Sequence, residues 1–340
     1  MLIAVDAAGG DYAPNEIIKG ALQAAEENDV EIALVGQKSL IRIVAARNLK
    51  NSRVTIVEAN QIIESDESPM KAVMSKPDSS IVVGINLLKE GKAQAFVSAG
   101  NTGALFGAAF LKLGLIEGIE RPAICAILDI TGSTPVLLID AGANADCKPH
   151  YLLQFAEMGN AFAKKVIGIP EPRVGLLSNG TEDIKGNRLV VEAHELLEAA
   201  KANFNFIGNI EANDLPKGKV DVVVTDGFTG NIVLKTLEGL GEAVQNFKHL
   251  WHDVSQTAHI HGSALLRSVE MGTWARKLDF REYGGACLLG VQGNVIKAHG
   301  RSRANAIKNA IALAQQTAEG NIYATIKKEN INGQNSSGNG

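Results

Sequence analysis

Short apolar segments alternate with helix-length amphipathic segments along almost the whole chain, and this alternation constrains the fold more than any other feature. The short segments are rich in β-branched residues and apolar on both faces, a pattern typical of parallel strands buried between helices. Eleven such strands are predicted, at Leu2–Val5, Glu31–Val35, Val54–Val57, Ala95–Ser98, Ala123–Leu128, Val136–Asp140, Arg173–Leu177, Phe204–Ile207, Val220–Thr225, Ala286–Leu289 and Val295–Lys297. Seven helices are predicted between them, at Asn15–Glu27, Ser80–Glu90, Thr102–Leu113, Tyr151–Val166, Asn187–Ala200, Thr229–Leu250 and Arg303–Glu319. The sequence therefore predicts a doubly wound α/β/α sandwich, with three layers around a mostly parallel sheet.

Residues 250–280 interrupt the alternation with a segment that is predicted to be helical throughout, apart from breaks at Gly262 and Gly272. We expect a helical arm that protrudes from the sheet, with an apolar stripe that packs on its own domain, forms a dimer interface or faces a membrane. The stripe comprises Trp251, Val254, Leu265, Leu266, Val269, Met271, Trp274 and Leu278. Both tryptophans of the chain lie here, which favours an interface and therefore a homodimer.

The remaining organisation is simple. Residues 1–329 are predicted to form a single catalytic domain that carries the arm, and residues 330–340, which have almost no apolar side chains, are predicted to be a disordered tail. No secretory signal is expected at the N-terminus, and no segment approaches the ~18 apolar residues that a membrane span needs. A cytoplasmic protein is expected, at most in peripheral contact with the inner face of the cell membrane.

Composition excludes several classes of function. The net charge is −4, the isoelectric point is about 6.0 and no run of like charges is present, so nucleic acid is not an expected partner. The three cysteines lack metal-ligand spacing, and the histidines at 249, 252, 259 and 261 have no carboxylate-rich cluster beside them, so no metal is expected. Neither a nucleophile elbow, a Walker loop nor a Gly-x-Gly-x-x-Gly after the first strand is present. A protein nucleophile and a nucleotide cofactor are both disfavoured, and no cofactor is expected.

The segment Val97–Phe106 carries the strongest functional signal, because an apolar strand runs into a small, donor-rich loop that opens a helix. Glycines allow close approach of the backbone to an anion, and the N–H groups of the first helical turn point at it. The proposed phosphate-binding residues here are Ser98, Gly100, Asn101, Thr102 and Gly103. An ordinary strand-to-helix turn with a capping hydroxyl is the alternative interpretation.

The same pattern of an apolar strand followed by Gly, Asn or Asp recurs after other strands. The recurring corners are Asp6–Asp11, Asp140–Asn144, Ser178–Thr181, Gly208–Asn209, Asp226–Asn231 and His299–Gly300. Because ligands bind outside the carboxyl ends of strands in open parallel sheets, we expect the corners to line one shared cleft. The candidate phosphate ligands there are Asn179, Thr229 and Gly230, and the candidate catalytic residues are Lys185, Asn231 and His299. His299 is the best candidate for proton transfer, and the alternative is a structural histidine bonded to neighbouring backbone. Lys185 either supplies positive charge to phosphate or is an ordinary solvated lysine on the surface.

At this level the chain resembles the phosphate acyltransferases of bacterial phospholipid synthesis over roughly residues 1–325. The resemblance is carried by Asp6–Asp11 with Ala13-Pro14, Ser98–Ala104, Arg121-Pro122-Ala123, Gly142-Ala143-Asn144 with Asp146-Cys147, Asn179-Gly180-Thr181 with Lys185-Gly186, Gly208–Glu211, Asp226–Asn231 with Lys235, Tyr283–Ala286 and His299-Gly300. Two departures are visible, namely Ala8 in place of a frequent Met, and Arg301 and Arg303 in place of smaller or neutral residues.

The resemblance implies a sandwich like those of isopropylmalate dehydrogenase and phosphotransacetylase, and an enzyme that converts acyl-acyl carrier protein and inorganic phosphate to acyl phosphate and free carrier. It also implies acyl carrier protein as a partner and a membrane acyltransferase downstream. Two other functions stay open: a phosphotransacetylase acting on short acyl-CoA, and a non-catalytic scaffold that brings lipid-synthesis proteins to the membrane. A dehydrogenase is disfavoured because no carboxylate set for a divalent metal is visible.

Overall fold

The computed structural model describes residues 1–45, 53–130, 134–257 and 285–327, with residues 244–257 as backbone only. All eleven predicted strands are present, with boundaries that differ by up to three residues. They are β1 (Leu2–Asp6), β2 (Glu31–Gly36), β3 (Val54–Glu58), β4 (Ala95–Ser98), β5 (Ala123–Leu128), β6 (Val136–Ile139), β7 (Val174–Leu177), β8 (Phe206–Ile210), β9 (Val222–Val224), β10 (Ala286–Leu289) and β11 (Asn294–Lys297). Most strand residues are buried, which confirms that apolar side chains on both faces mark strands covered by helices.

The helices account for most of the remaining described chain. They are α1 (Asn15–Glu27), α2 (Lys38–Ala45), α3 (Pro69–Ser75), α4 (Ser80–Lys89), α5 (Thr102–Leu113), α6 (Pro149–Phe162), α7 (Arg188–Ala199), α8 (Gly227–Thr257) and α9 (Ala304–Glu319). A five-residue π-helix, Ala163–Ile167, continues α6, and a 3₁₀-helix spans Ala212–Lys217. None of the described helices is both long and apolar enough to cross a membrane.

The described residues cluster into two compact units. The first draws on Met1–Ala126, Glu157–Glu171 and Arg281–Gly340, and the second on Ile127–Ala156 and Pro172–Phe280. In the first unit the strand order is β3-β2-β1-β4-β11-β10-β5, and β10 runs antiparallel to both of its neighbours. In the second unit the order is β6-β9-β7-β8, all parallel. The predicted mostly parallel α/β sheet with flanking helices is confirmed, whereas a single catalytic domain over residues 1–329 stays a prediction.

The helical predictions fail where helices are short. Helices α2 and α3 contain only eight and seven residues, and both are shorter than the window of about 11 residues in which amphipathic periodicity is recognised. The predicted helix Tyr151–Val166 ends as a π-helix, in which the Gly168 N–H donates to the Ala163 carbonyl and Gly168 takes a left-handed φ of 82°. Helix α8 continues beyond Leu250 to Thr257. The rest of the predicted arm and the predicted tail lie outside the described residues.

Close packing in the first unit depends on a helical glycine. A Cβ at Gly84 of α4 would lie 2.1 Å from the ring of Phe96, a fully buried residue of β4. Glycine therefore lets α4 approach the sheet at the strand that leads to Ser98. Gly239 of α8 offers the opposite case, because a Cβ there would meet no atom within 4 Å.

We predict that Gly84→Ala lowers the free energy of unfolding by about 1–3 kcal/mol, because it overpacks the Phe96 ring. The matched control, Gly239→Ala, is expected to be neutral or to add up to about 1 kcal/mol through lower backbone entropy in the unfolded chain. Urea unfolding followed by circular dichroism measures both. Equal stability of Gly84→Ala and the parent protein would show that α4 moves freely against β4.

Candidate functional site

The end of β1 and the end of β4 are held together by the carboxylate of Asp6. Its Oδ1 accepts hydrogen bonds from the N–H groups of Ala8 (3.0 Å) and Gly9 (3.1 Å), and its Oδ2 accepts one from the Ser98 hydroxyl (2.6 Å). The same hydroxyl oxygen accepts the N–H of Gly100 at 3.0 Å. Asp6 and Ser98 are each only 1% exposed. Ser98 is therefore engaged in holding two loops in register.

Glycine is required where these two loops touch. A Cβ at Gly9 would lie 2.4 Å from Asp6 Oδ2 and 2.6 Å from the Gly100 nitrogen. A Cβ at Gly100 would lie 3.1 Å from the same carboxylate oxygen. Backbone thus packs directly on backbone around the buried carboxylate, which fixes the corner that leads into α5.

Helix α5 begins with a first turn whose N–H groups are only partly used. Asn101 is the N-cap residue, and its Oδ1 accepts the Ala104 N–H at 3.0 Å. Among the described residues, no acceptor is present for the N–H groups of Thr102 and Gly103. Free N–H groups and the positive end of the helix dipole together favour an anion. These two N–H groups are therefore open to an anion.

The side-chain amide of Asn101 has a further task. Its Nδ2 donates to the carbonyl oxygens of Glu64 (3.0 Å), Ser65 (3.3 Å) and, at 3.5 Å, Glu67. Gly103 touches the same region, because a Cβ there would lie 2.6 Å from Pro69 Cγ. No local sequence pattern indicates these contacts, because they join residues 34–37 positions apart. That Ser98, Gly100, Asn101, Thr102 and Gly103 bind phosphate stays a prediction, and backbone N–H groups are its strongest donors.

His299 follows β11, the strand next to β4, so it lies in the same unit as this corner. Its Nδ1 accepts the Arg301 N–H at 3.1 Å. In the neutral ring the proton then resides on Nε2. The loop that carries His299 is bonded to the corner, because the Gly300 carbonyl accepts the Asp11 N–H at 2.8 Å and the Ser98 carbonyl accepts the Ala298 N–H at 2.9 Å.

The second unit repeats the buried aspartate at the end of its first strand. Asp140 is 0% exposed and accepts the N–H groups of Gly142, Ala143 and Asn144, the last at 2.7 Å. Its backbone packs on α8 so closely that a Cβ at Gly230 would lie 1.9 Å from the Asp140 carbonyl oxygen. Gly230 is therefore required for packing, whatever it does for a ligand.

The first turn of α8 differs from that of α5, because only one of its first three N–H groups, that of Phe228, lacks an acceptor among the described residues. The N–H groups of Gly227 and Gly230 donate to the carbonyls of Asn144 (2.8 Å) and Asp226 (2.9 Å). The Asp226 carboxylate accepts both the N–H (2.8 Å) and the hydroxyl (2.7 Å) of Thr229. The Thr229 side chain thus completes the helix cap, and α8 is a weaker anion site than α5.

Asn231, Asn179 and Lys185 are exposed in the second unit. No hydrogen bond to another described residue involves the side chain of any of the three. The loop that carries Asn179 and Lys185 is anchored by buried Asn209, whose Nδ2 donates to the Glu182 carbonyl (2.8 Å) and whose Oδ1 lies 3.0 Å from His194 Nδ1. These three side chains are available to a ligand, and their predicted roles stay predictions, as does one cleft shared by all corners.

Cys147 lies beside the second corner, where its thiol donates to the Asn144 carbonyl at 3.6 Å. Burial, together with the negative charges of Asp140, Asp226 and Asp146, raises the pKa of the Cys147 thiol to about 12. Burial raises the pKa of Cys287 to about 12 as well. A thiol that stays protonated near neutral pH is a poor nucleophile. Within the described residues, no group of three or more His, Cys, Asp or Glu could hold a metal ion.

We predict that Cys147 in the folded protein is alkylated by iodoacetamide at pH 8 at least about tenfold more slowly than in the urea-unfolded protein, because its thiolate is scarce. Mass spectrometry of the Cys147 peptide over time measures both rates. Cys125 and Cys287, which are buried, serve as internal controls for complete unfolding. Equal rates in the folded and unfolded protein would make Cys147 a candidate nucleophile.

Comparison with known proteins identifies the family of the chain. A family model described as fatty acid synthesis protein matches residues 1–325. The phosphate acyltransferase of Dehalococcoides mccartyi is 53% identical over 329 residues, 97% of this chain and 94% of the relative. That of Pelotomaculum thermopropionicum is 48% identical over 327 residues, 96% of this chain and 94% of the relative. The resemblance inferred from the corner motifs is confirmed.

Solved structures show the fold. A phosphotransacetylase from Streptococcus pyogenes matches with a TM-score of 0.64 and 18% identity, over 94% of each chain. A 4-hydroxythreonine-4-phosphate dehydrogenase from Klebsiella pneumoniae matches with a TM-score of 0.54 and 16% identity, over 93% of this chain and 99% of that one. At such identities the likeness concerns architecture alone. With the family match over nearly its whole length, the chain belongs to the fatty acid synthesis protein family, alongside the phosphate acyltransferases, and is an acyltransferase.

Proposed function

We propose that this acyltransferase converts a fatty acyl-acyl carrier protein thioester and inorganic phosphate to acyl phosphate and free carrier, a step that feeds phospholipid synthesis. One observation carries the assignment of the site. The first turn of α5 presents the N–H groups of Thr102 and Gly103 at the end of β4, in a chain of the phosphate acyltransferase family. Such N–H groups bind an anion without a charged side chain.

The chemistry needs no protein nucleophile. An oxygen of HPO₄²⁻ attacks the thioester carbonyl carbon, the C–S bond breaks, and the phosphate proton passes to the leaving sulfur, giving acyl phosphate and a thiol. The protein has to position phosphate, stabilise the developing oxyanion and guide the proton. The raised pKa of Cys147 supports direct attack by phosphate over a covalent thioester intermediate.

His299 and Asn231 are the proposed catalytic side chains. With Nδ1 of His299 accepting the Arg301 N–H, Nε2 carries the proton that phosphate or the leaving sulfur can use. Asn231 is exposed at the first turn of α8 and is proposed as an oxyanion donor, and Lys185 and Asn179 are proposed to add donors to phosphate. Thr229 and Gly230 are proposed to hold the α8 corner in place for this task.

The site assignment is tested by Thr102→Pro, which removes one N–H without changing the fold. Thr102 is the first helical residue, where proline is tolerated, and the preceding Asn101 has ψ of 117°, which is compatible with a following proline. Loss of one hydrogen bond to a charged ligand predicts that the KM for phosphate rises about 10- to 100-fold. Steady-state release of carrier thiol at varied phosphate concentration measures it.

Thr102→Ala is the matched control, because it keeps the N–H and removes only the hydroxyl. Its KM for phosphate is expected to stay within about threefold of the parent value if the backbone supplies the donor. A phosphate KM for Thr102→Pro equal to that of Thr102→Ala would overturn the site. Parallel assays with acetyl-CoA distinguish the two substrate classes, since preference for the short acyl-CoA would point to a phosphotransacetylase.

Acyl carrier protein is the proposed partner, and the basic side chains near His299 are its proposed docking surface. Arg301 and Arg303 are exposed, and the Arg303 guanidinium lies 4.9 Å from the centre of the Tyr12 ring. Lys297, the third basic residue predicted here, turns its ammonium toward the Ala298 carbonyl. The two arginines are therefore the stronger contacts for an acidic protein.

We predict that the double variant Arg301→Glu/Arg303→Glu raises the KM for the acyl carrier by about tenfold at low salt, since like charges then face each other. The effect is expected to shrink as sodium chloride rises above about 0.1 M, where the Debye length falls below ~10 Å. The control Lys89→Glu/Lys92→Glu makes the same change in net charge on another exposed surface. If both double variants change the KM equally, docking lies elsewhere.

A homodimer and peripheral contact with the inner face of the cell membrane complete the proposal. Both rest on the apolar stripe between Trp251 and Leu278, whose side chains lie outside the described residues. The exposed apolar side chains that α8 does present, Phe228, Ile232 and Leu240, support an interface along this helix.

A further inference from the structure

A segment that carries none of the corner motifs packs against the first turn of α5. Residues 61–78 form a closed loop that contains α3, because its two ends are bonded to each other. The Gln61 N–H donates to the Asp78 carbonyl (3.1 Å), and the Asp78 N–H donates to Gln61 Oε1 (3.0 Å). Asn60 adds two hydrogen bonds to the Asp78 carboxylate. The base of the loop is therefore fixed independently of what its middle does.

Two nitrogen donors shape the middle of the loop. One is the Asn101 amide, which binds carbonyl oxygens of residues 64, 65 and 67. The other is the Lys76 ammonium, which donates to the Ile62 carbonyl (2.8 Å) and to the Glu67 carboxylate (2.5 Å). The Glu67 carboxylate also accepts the Glu64 N–H at 2.8 Å. Lys76 and Asn101 therefore both donate hydrogen bonds to residues 62–67.

The charge of Lys76 is committed to this loop. The hydrogen bond from Lys76, followed by that from the Glu64 N–H, holds the pKa of the Glu67 carboxyl below its usual range. The Lys76 side chain is 28% exposed, so its ammonium is partly withdrawn from solvent. A typical exposed ion pair contributes little to stability, but a lysine that also satisfies a backbone carbonyl restricts where the loop can lie.

The loop meets α5 on both sides of its free N–H groups. Asn101 precedes these N–H groups. Pro69, which follows the residues bound by Lys76 and Asn101, packs on Gly103, because a Cβ at Gly103 would lie 2.6 Å from Pro69 Cγ. A shift of residues 62–67 would therefore pull on Asn101 and move the turn that holds Thr102 and Gly103. Misplacement of a ligand-binding group by about 1 Å can cost as much as ~100-fold in rate.

We propose that Lys76 is a positioning residue for phosphate, acting through residues 62–67 and Asn101 on the first turn of α5. This inference rests on the proposed function, since it names how that site is held in place. Lys76 makes no contact with phosphate in this scheme. Its ammonium fixes the loop, the loop fixes the Asn101 amide, and the Asn101 backbone orients the N–H groups of Thr102 and Gly103.

The test compares Lys76→Met, Lys76→Arg and Lys71→Met. Lys71 lies on α3, which Lys76 follows directly, and is exposed with no polar partner among the described residues, so its variant controls for loss of one positive charge in the same loop. Steady-state assays measure the KM for phosphate, the KM for the acyl carrier and kcat. Thermal melting at increasing inorganic phosphate gives a second readout that does not depend on acyl transfer, because a ligand that binds only the folded state raises the melting temperature.

Lys76→Met is expected to raise the KM for phosphate about tenfold, to leave the KM for the acyl carrier within about twofold, and to weaken the phosphate-dependent rise in melting temperature. Lys76→Arg, which keeps a donor and the charge, is expected to recover most of the phosphate affinity. A phosphate KM of Lys76→Met that matches that of Lys71→Met would overturn the positioning role. So would an equal increase in both substrate KM values, because that would indicate general loosening of the unit.

The two proposals fail in different ways. If the parent protein forms no acyl phosphate from any acyl carrier thioester, the proposed function is wrong, whatever Lys76 does. If the parent protein is active and its phosphate-dependent melting shift is unchanged in Lys76→Met, the site stands and the positioning role is wrong.

Discussion

The buried carboxylate of Asp6 is the interaction on which the candidate site depends. A charged group that is 1% exposed is costly unless donors surround it, and here the donors are the N–H groups of Ala8 and Gly9 and the hydroxyl of Ser98. The geometry that satisfies Asp6 also determines the position of the β4–α5 corner, because Ser98 in turn binds the Gly100 N–H. The free N–H groups of Thr102 and Gly103 are therefore placed by a buried carboxylate.

In the second unit the buried carboxylate is that of Asp140, yet the helix beside it has fewer free N–H groups. Both aspartates end an apolar strand and gather N–H groups from the small residues that follow. In the second unit the neighbouring helix α8 is capped by Asp226 and by the Asn144 carbonyl, so its first turn has few donors left. Related corners with the same sequence pattern thus differ in anion-binding capacity, and the difference lies in which N–H groups are already satisfied.

The sheet could be predicted from sequence because its strands are buried on both faces and leave an unmistakable apolar pattern. The short helices α2 and α3 could not, since seven or eight residues hold too little periodicity. The position of the candidate corner was predictable from Gly100, Asn101 and Gly103, but the direction of its side chains was not. Ser98 and Asn101 are residue types that commonly bind phosphate. Here the Ser98 hydroxyl donates to Asp6, and the Asn101 amide donates to carbonyls of residues 64–67. Such contacts join distant parts of the chain, and a local pattern carries no information about them.

The use of backbone donors at the first turn of α5, with Lys185 as the one charged side chain proposed to reach phosphate, fits the proposed chemistry. Phosphate has to be bound and yet remain a nucleophile, and interactions that stabilise the bound ground state as much as the transition state bring no gain in turnover. A helix N-terminus carries only about half a positive charge. The Asp6 carboxylate lies beneath the corner, and Glu67 pairs with the Lys76 charge. The first turn of α5 would therefore hold phosphate by the orientation of its N–H groups more than by net positive charge. Catalysis on this scheme depends on how rigidly the turn is held, which is why buried supports such as Asp6, Gly9 and Gly100 matter as much as the groups that would touch the ligand.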